Sequence, residues 1–547
     1  MKNKKIVFIL LSLIVIVAAL LRFVALGSNP PSLNWDEVAW GYNAYTLGVD
    51  GKDEFGVFLP YKYLESYGDF KPPLYAYLAI IPVKIFGLTE FAVRFPSAFF
   101  GVLTVLLAYF LVKEIFYSSI EKKVKQRDKI VWVGLCASLF LAISPWHIML
   151  SRAAFEANVA SFFIVLGVFS FLKAVNTKPW FLVLSAVSFA LSFYTFNTAR
   201  IVAPLLVLVL AVISIKFLWQ NKKQSIVATF IGALLILPLV PFLLSPQANL
   251  RFREVNIFSD ISIVETSNQK IANDDNAWWS KVINNRRVGY AQAYVKHYLD
   301  HFDPTFLFIS GDVNPRFSTQ QVGQLYLWDI VFLGVGIVML IRLKQGRWWL
   351  LFVWFAIGII PAATARETPH ALRIETVLPT AQIIVAYGFV SALWLFKQKK
   401  FKAIVLLIIL GINMWYFLYG YTTHYSKQYS GEWQYGYKQA AEMIREKQTQ
   451  YDAIYVTSQI GRPYIYFLFY NKVDPEIFRK DSDIKRDTFG FVSVDRYQNM
   501  YFGKDLPEVK NKNNLYINTP QLVPPDAKVL NTVHLLDGKP IFVMYTL

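Results

Sequence analysis

Asp36 and Glu37 are adjacent carboxylates in a polar stretch, residues 28 to 75, that follows an apolar N-terminal run and ends at Lys71-Pro72-Pro73. A carboxylate facing a cavity can take a proton from a hydroxyl. Asn34 and Glu37 fit Asn-x-x-Glu, a capping box that opens a helix predicted to run to about Leu47, with Val38, Tyr42 and Tyr45 on one face. The box uses one carboxylate. Neighbouring helical side chains project about 100° apart, so Glu37 can cap while Asp36 faces elsewhere. A Glu37 that only caps should tolerate glutamine, which still reaches back to the Asn34 N–H. Further along stand Lys71, Arg94, Arg152, Glu156, Arg200, Arg366, His370 and Arg373, several at predicted helix ends. Charges near a membrane are costly and pair or serve function, although any one arginine also fits a snorkelling anchor. An acid beside several cations suits an anionic headgroup, a phosphate above all. Transfer of a group from a lipid phosphate fits, because the leaving group is already an anion that cations stabilise and no general acid is needed. The residues alone leave the transferred group open.

The elements that must position these groups are membrane helices. The chain has 547 residues, 55% hydrophobic and 17% aromatic, with repeated apolar runs of about 20 residues. The fold class is a polytopic α-helical membrane protein. A lone cysteine, Cys136, excludes a disulfide framework, and six histidines without ligand spacing give no metal site. The net charge of +18 is explained by basic cytoplasmic turns rather than by nucleic acid. Residues 6 to 26 read as an uncleaved first span with its N-terminus inside. Residues 113 to 129 hold six Lys/Arg and are assigned to the cytoplasm, so only one of the apolar pieces 74 to 86 and 95 to 112 crosses. The first is assigned to the outer interface. Spans then follow at about 130 to 148, 158 to 173, 180 to 196, 200 to 219, 225 to 244, 325 to 343, 347 to 363, 374 to 395 and 402 to 420. The count is about eleven. Cytoplasmic turns carry Lys173 and Lys178, then Lys216, Lys222 and Lys223, then Arg342, Lys344 and Arg347, then Lys397, Lys399, Lys400 and Lys402.

The predicted organisation is a transmembrane domain, 1–420, with a first outer loop at 28–94 and a large outer loop at 245–324. An extracytoplasmic soluble α/β domain occupies 421–547. In that domain GYKQAAEMIREKQ reads as an amphipathic helix and AIYVTS as a strand, while IYFLFY fits a strand or a short helix. KVLNTVHLLDGKPIFVMYTL reads as two strands joined at Asp537-Gly538. Trp278-Trp279 and Arg286-Arg287 in the large loop read as contacts to lipid headgroups.

Five ordered motifs resemble the GT-C membrane glycosyltransferases, in the branch of the dolichyl-phosphate-mannose protein mannosyltransferases and the lipid A aminoarabinose transferase. They are NWDEVAWGYNAY, FKPPLYAYL, FAVRFPSAFFGVLTVLLAYFLVKEIF, SPWHIMLSRAAFE and, more loosely, HALRIETVLPTAQIIVAYG. The likeness covers roughly residues 20 to 210, and 325 to 395 less closely. It implies Asp36 as general base, with Glu37 supporting the site or capping. It implies Lys71, Arg94, Arg152 and Arg200 on the donor phosphate or holding the loop. Arg373 belongs with them, although Ile374 stands where the family has tyrosine. Glu156, His370 and Arg366, from the charge cluster above, are expected as further acceptor or donor contacts. The resemblance implies a polyprenyl-phosphate monosaccharide donor, a hydroxyl acceptor on protein, lipid or cell-surface glycan, inversion by direct displacement, and no cofactor or metal. Two other classes are weighed against it. A transporter or flippase of lipid-linked sugars places charges near the midplane and often shows paired repeats. A non-catalytic scaffold would work through 421–547.

Overall fold

The computed structural model describes residues 4–122, 124–248, 255–395, 399–486, 492–507, 509 and 513–547. Lys123 in the first basic turn and residues 396–398 in the last lie outside them. The chain forms two compact units. One comprises Met1–Leu21, Phe100–Leu150 and Glu156–Phe417, and the other Arg22–Phe99, Ser151–Phe155 and Leu418–Leu547.

The first unit is helical. Five helices among the described residues are long and apolar enough to cross a membrane: Lys4–Phe23, Glu90–Ile115, Glu156–Asn176, Lys222–Leu243 and Ile404–Gln428. A bent pair, Gln126–Ile143 with Pro145–Ser151, makes up to six. Further apolar helices of 10–17 residues include Phe181–Phe193, Ala199–Ile213, Trp349–Thr364 and Thr380–Trp394. The chain is a membrane protein. Leu74–Phe86, assigned to the interface from charge, is a 13-residue helix. Close helix contact in this unit uses small residues. A Cβ on Gly336 would lie 2.2 Å from the Ile384 carbonyl oxygen, and one on Gly388 1.9 Å from that of Phe332. Helices Asp329–Leu343 and Thr380–Leu395 therefore touch backbone to backbone.

Turns expected on one side of the membrane meet in this unit. Lys173 Nζ lies 2.9 Å from Glu114, Asn176 donates to the Glu114 carboxylate and carbonyl, and Arg347 donates to Asn176. Segments expected on the other side, 145–158 and 365–375, also meet: Trp146 Nε1 donates to the Ala371 carbonyl.

The second unit contains the first polar loop and a mixed seven-stranded sheet. A hairpin of β1 (Leu64–Ser66) and β2 (Asp69–Lys71) lies in the loop. The sheet comprises β3 (Ala453–Thr457), β4 (Ser482–Arg486), β5 (Val492–Tyr497), β6 (Met500–Gly503), β7 (Asn514–Asn518), β8 (Lys528–His534) and β9 (Pro540–Thr546). Its order is β4-β5-β6-β3-β7-β9-β8, with β3 parallel to β6 and β7 and the other pairs antiparallel. The predicted amphipathic helix is Tyr437–Lys447, and IYFLFY lies within the helix Pro463–Tyr470. Asp537-Gly538 connects β8 to β9, and Gly538 takes the positive φ of 91° that the turn needs. Strands β4 to β7 were not predicted. Three of the four are short, and β4 and β5 carry charges that break the apolar alternation.

Candidate active site

The helix that opens the polar loop, Trp35–Asp50, starts as its capping box requires. Asn34 Oδ1 accepts from the N–H groups of Asp36 (2.9 Å) and Glu37 (3.1 Å), and Glu37 Oε2 accepts from the Asn34 N–H (3.0 Å). Glu37 does more than cap. Its carboxylate takes Arg94 Nε at 2.9 Å and Nη2 at 3.1 Å, and the Ala154 N–H at 2.8 Å. Both Glu37 and Arg94 are fully buried. Arg94 also donates to the carbonyls of Leu26 (3.1 Å), Pro30 (2.8 Å) and Ser32 (2.5 Å), with its guanidinium 5.6 Å over the Trp433 ring. Arg152 donates to the carbonyls of Arg22, Ala25 and Asn29 and to the Tyr421 hydroxyl. The two arginines thus bind the segment that leads into the helix. Of the two roles the resemblance implies for them, their hydrogen bonds serve the one that holds the loop.

Asp36 has the opposite environment. Its side chain is 45% exposed and forms an ion pair with Lys71 at the end of β2. Lys71 is buried, its ammonium 5.3 Å from the centre of the Trp40 ring and 5.6 Å from that of Tyr67. The hairpin turn Tyr67-Gly68 has positive φ at both residues, and the Tyr67 hydroxyl donates 2.8 Å to the Trp35 carbonyl. Hairpin and helix start are therefore tied together. An open carboxylate on a fixed helix start, beside a fixed ammonium, can accept a proton while the cation faces an anion.

A third acid lies near Lys71 that sequence reading did not single out. Glu54 is fully buried, and among the described residues neither carboxyl oxygen has a hydrogen bond of ordinary geometry. Burial pushes this carboxyl up to about 8, with Asp53 adding to the rise and Ser66, Asn43 and Lys71 opposing it. The only sequence signal was the acid pair in GKDEFG. An unfolded glutamate releases its proton near about 4.3. Above that pH, and up to about 8, the folded state keeps a proton that the unfolded state has lost. Stability therefore falls as pH rises through this window and flattens above it. Glu54→Gln should remove that slope, so its melting temperature should gain on wild type from about pH 5 to pH 8. Parallel melting curves across the window would mean that Glu54 is not buried as a neutral acid.

The other predicted residues belong to the first unit. Arg200 donates to the Phe193 carbonyl and to Asn197 Oδ1. Arg366 donates to the carbonyls of Asn256 and Ser259. His370 Nδ1 stands 3.9 Å from Asp312 Oδ2, and the His370 N–H donates to His301 Nε2. That assigns the His301 tautomer, since its Nδ1 donates to the His297 carbonyl. Burial lowers His301 to about 4 and raises Asp312 to about 6, and Arg373 faces both. Glu156 faces the buried carboxyl of Glu375. Asp312 and His301 lie in no motif that would have marked them, and Glu375, although inside HALRIETVLPTAQIIVAYG, was not singled out there.

Residues 12–250 match the family model "Dolichyl-phosphate-mannose-protein mannosyltransferase". No curated protein matches the chain in sequence. The fold is similar to that of ArnT from Cupriavidus metallidurans, at 11% identity and TM-score 0.53, covering 97% of each chain. A second structure of that protein, with undecaprenyl phosphate bound, matches at 10% identity and TM-score 0.54, again covering 97% of each. The Archaeoglobus fulgidus oligosaccharyltransferase, in its apo form, matches at 14% identity and TM-score 0.50, over 86% of this chain and 64% of its own.

Proposed function

Starting from a membrane glycosyltransferase with the GT-C fold, we propose that the chain moves a monosaccharide from a polyprenyl-phosphate donor to a hydroxyl acceptor at the outer face of the membrane. The observation that carries the reading is the asymmetry of the acid pair: Glu37 is buried and its oxygens are engaged, while Asp36 is open and paired with a fixed ammonium. Asp36 takes the proton of the acceptor hydroxyl. The acceptor oxygen bonds to the anomeric carbon as the carbon–phosphate oxygen bond breaks, and the configuration inverts. Polyprenyl phosphate leaves as an anion, neutralised by Lys71. With no donor, Lys71 holds Asp36. A donor phosphate competes for the ammonium and frees the carboxylate for the acceptor. The Cupriavidus protein of the same fold binds undecaprenyl phosphate, which supports this donor class. Phosphate roles for Arg200 and Arg373 rest on the family resemblance, and substrate contacts for Glu156, His370 and Arg366 on their place in the charge cluster expected at the outer face.

The proposed topology has about eleven spans, a cytoplasmic N-terminus and the 421–547 domain outside. It is supported by the meeting of Glu114, Lys173 and Arg347 from turns assigned to one side, and of Trp146 and Ala371 from segments assigned to the other. The test is release of undecaprenyl phosphate by purified protein from a panel of undecaprenyl-phosphate hexoses and pentoses. Wild type should release it from at least one. Release from none would overturn the reading.

A further inference from the structure

One row of side chains crosses all seven strands of the sheet. In register it reads Asp483, Arg496, Tyr501, Tyr455, Tyr516, Tyr545, Val529. Four neighbouring strands place tyrosine at the same level of the same face. Their rings stack in sequence, with centroids 5.2, 5.1 and 5.2 Å apart and planes within 25°, 15° and 14° of parallel. Such separations between near-parallel rings mean offset stacking, each ring leaning on the next.

Within the row the tyrosine stack has a covered pair and an open end, and Val529, past Tyr545, is exposed. Tyr516 and Tyr545 are buried under Leu506, Val523, Ala527 and Leu547, and the Val509 N–H donates to the Tyr516 hydroxyl. Tyr455 is partly exposed and Tyr501 is 38% exposed. The opposite face of the same strands carries the buried side chains Ile454, Val456, Met500, Leu515 and Ile517. Cross-strand aromatic pairs stabilise a sheet, which accounts for the covered pair. It does not account for running the stack on into solvent beside an exposed guanidinium and carboxylate.

We propose that the open end, Tyr501 and Tyr455 with Arg496 and Asp483, is a saccharide-binding surface that holds a sugar ring of the acceptor. A pyranose presents one face of C–H bonds, which sits against the electron-rich face of an aromatic ring, and a rim of hydroxyls. Arg496 donates to that rim, and Asp483 accepts from it. A protein partner would be better matched by a broad apolar patch. Here the apolar surface at the open end is two phenol rings bounded by charge. The proposal rests on the reading of the chain as a glycosyltransferase with a hydroxyl acceptor, and it narrows that acceptor to one already carrying sugar.

Saturation-transfer NMR on the full-length protein in lipid nanodiscs tests it, avoiding detergents with sugar headgroups. The probes are mannohexaose, cellohexaose and the hexamer of N-acetylglucosamine. At least one should bind wild type with transfer to its ring C–H protons. Tyr501→Ala should weaken it roughly 5- to 10-fold, the scale of a lost stacking contact. Tyr501→Trp should retain it, and Asp36→Asn should bind as wild type. No probe binding wild type, or unchanged affinity in Tyr501→Ala, overturns the surface. So does a fall in particle mass on Tyr501→Ala, which would make it a contact between two copies. Binding retained while Asp36→Asn keeps full donor turnover would sink the catalytic reading and leave the surface standing.

Discussion

Asp36→Asn should lose about 10²- to 10⁴-fold in donor turnover while donor affinity survives. Asparagine keeps the shape and can still face Lys71, but it does not accept a proton at neutral pH. Loss of a general base has this size, about 3–5 kcal/mol in the barrier. Affinity should hold, because the ammonium proposed to meet the phosphate is a separate group held by Trp40 and Tyr67. Freed of its carboxylate partner, Lys71 should if anything bind the donor more tightly. The measurement is single-turnover release of undecaprenyl phosphate alongside equilibrium donor binding. Near-normal turnover would remove Asp36 from the chemistry. Donor binding lost in step with turnover would make Asp36 a binding group.

The start of this site was legible in the sequence because its signals are local. Asn34 and Glu37 are three residues apart, and the box they form is set by backbone geometry that neighbours suffice to specify. The same holds for the β8–β9 turn and for Tyr437–Lys447, whose polar and apolar residues repeat at helical spacing. What was not legible depends on residues far apart in the chain. Glu37 reads from the sequence as a cap or a support of the site, and only as a bare cap would it tolerate glutamine. Its partners Arg94 and Ala154 lie 57 and 117 residues away, and they turn a cap into a buried ion pair. For Arg94 and Arg152 the resemblance left two roles open, on the donor phosphate or holding the loop. No local pattern says that both donate to backbone carbonyls between Arg22 and Ser32. The tyrosine row is a third case. Each tyrosine is ordinary in its own strand, and only the register of β6, β3, β7 and β9 aligns them. Charge alternation likewise suggested which turns share a side, but only contacts such as Arg347 with Asn176 bring them together.

The buried pair gives the largest expected effect on stability. Arg94→Met should cost about 3–5 kcal/mol, the range for breaking a buried ion pair from one side. The carboxylate of Glu37 would keep Ala154 and Asn34 but lose both guanidinium bonds, and the carbonyls of Leu26, Pro30 and Ser32 would lose their donor. Arg94→Lys keeps the charge. A single ammonium has three hydrogens and no planar fork, so it cannot serve two carboxylate oxygens and three carbonyls together. It should fold with a lowered melting temperature and a large loss of turnover, because the segment that sets the angle of the Asp36 helix is loosened. Glu37→Gln should also lower the melting temperature, against the mild effect expected of a cap, since Arg94 would then be the unpaired charge. The double variant Glu37→Gln, Arg94→Met removes both charges and should be more stable than the sum of its parts predicts, with a coupling above about 1 kcal/mol. Melting curves and single-turnover rates on wild type and the four variants decide it. Additive losses would mean that the pair is not coupled. Normal stability in Arg94→Lys with turnover abolished would instead move Arg94 from the loop to the donor.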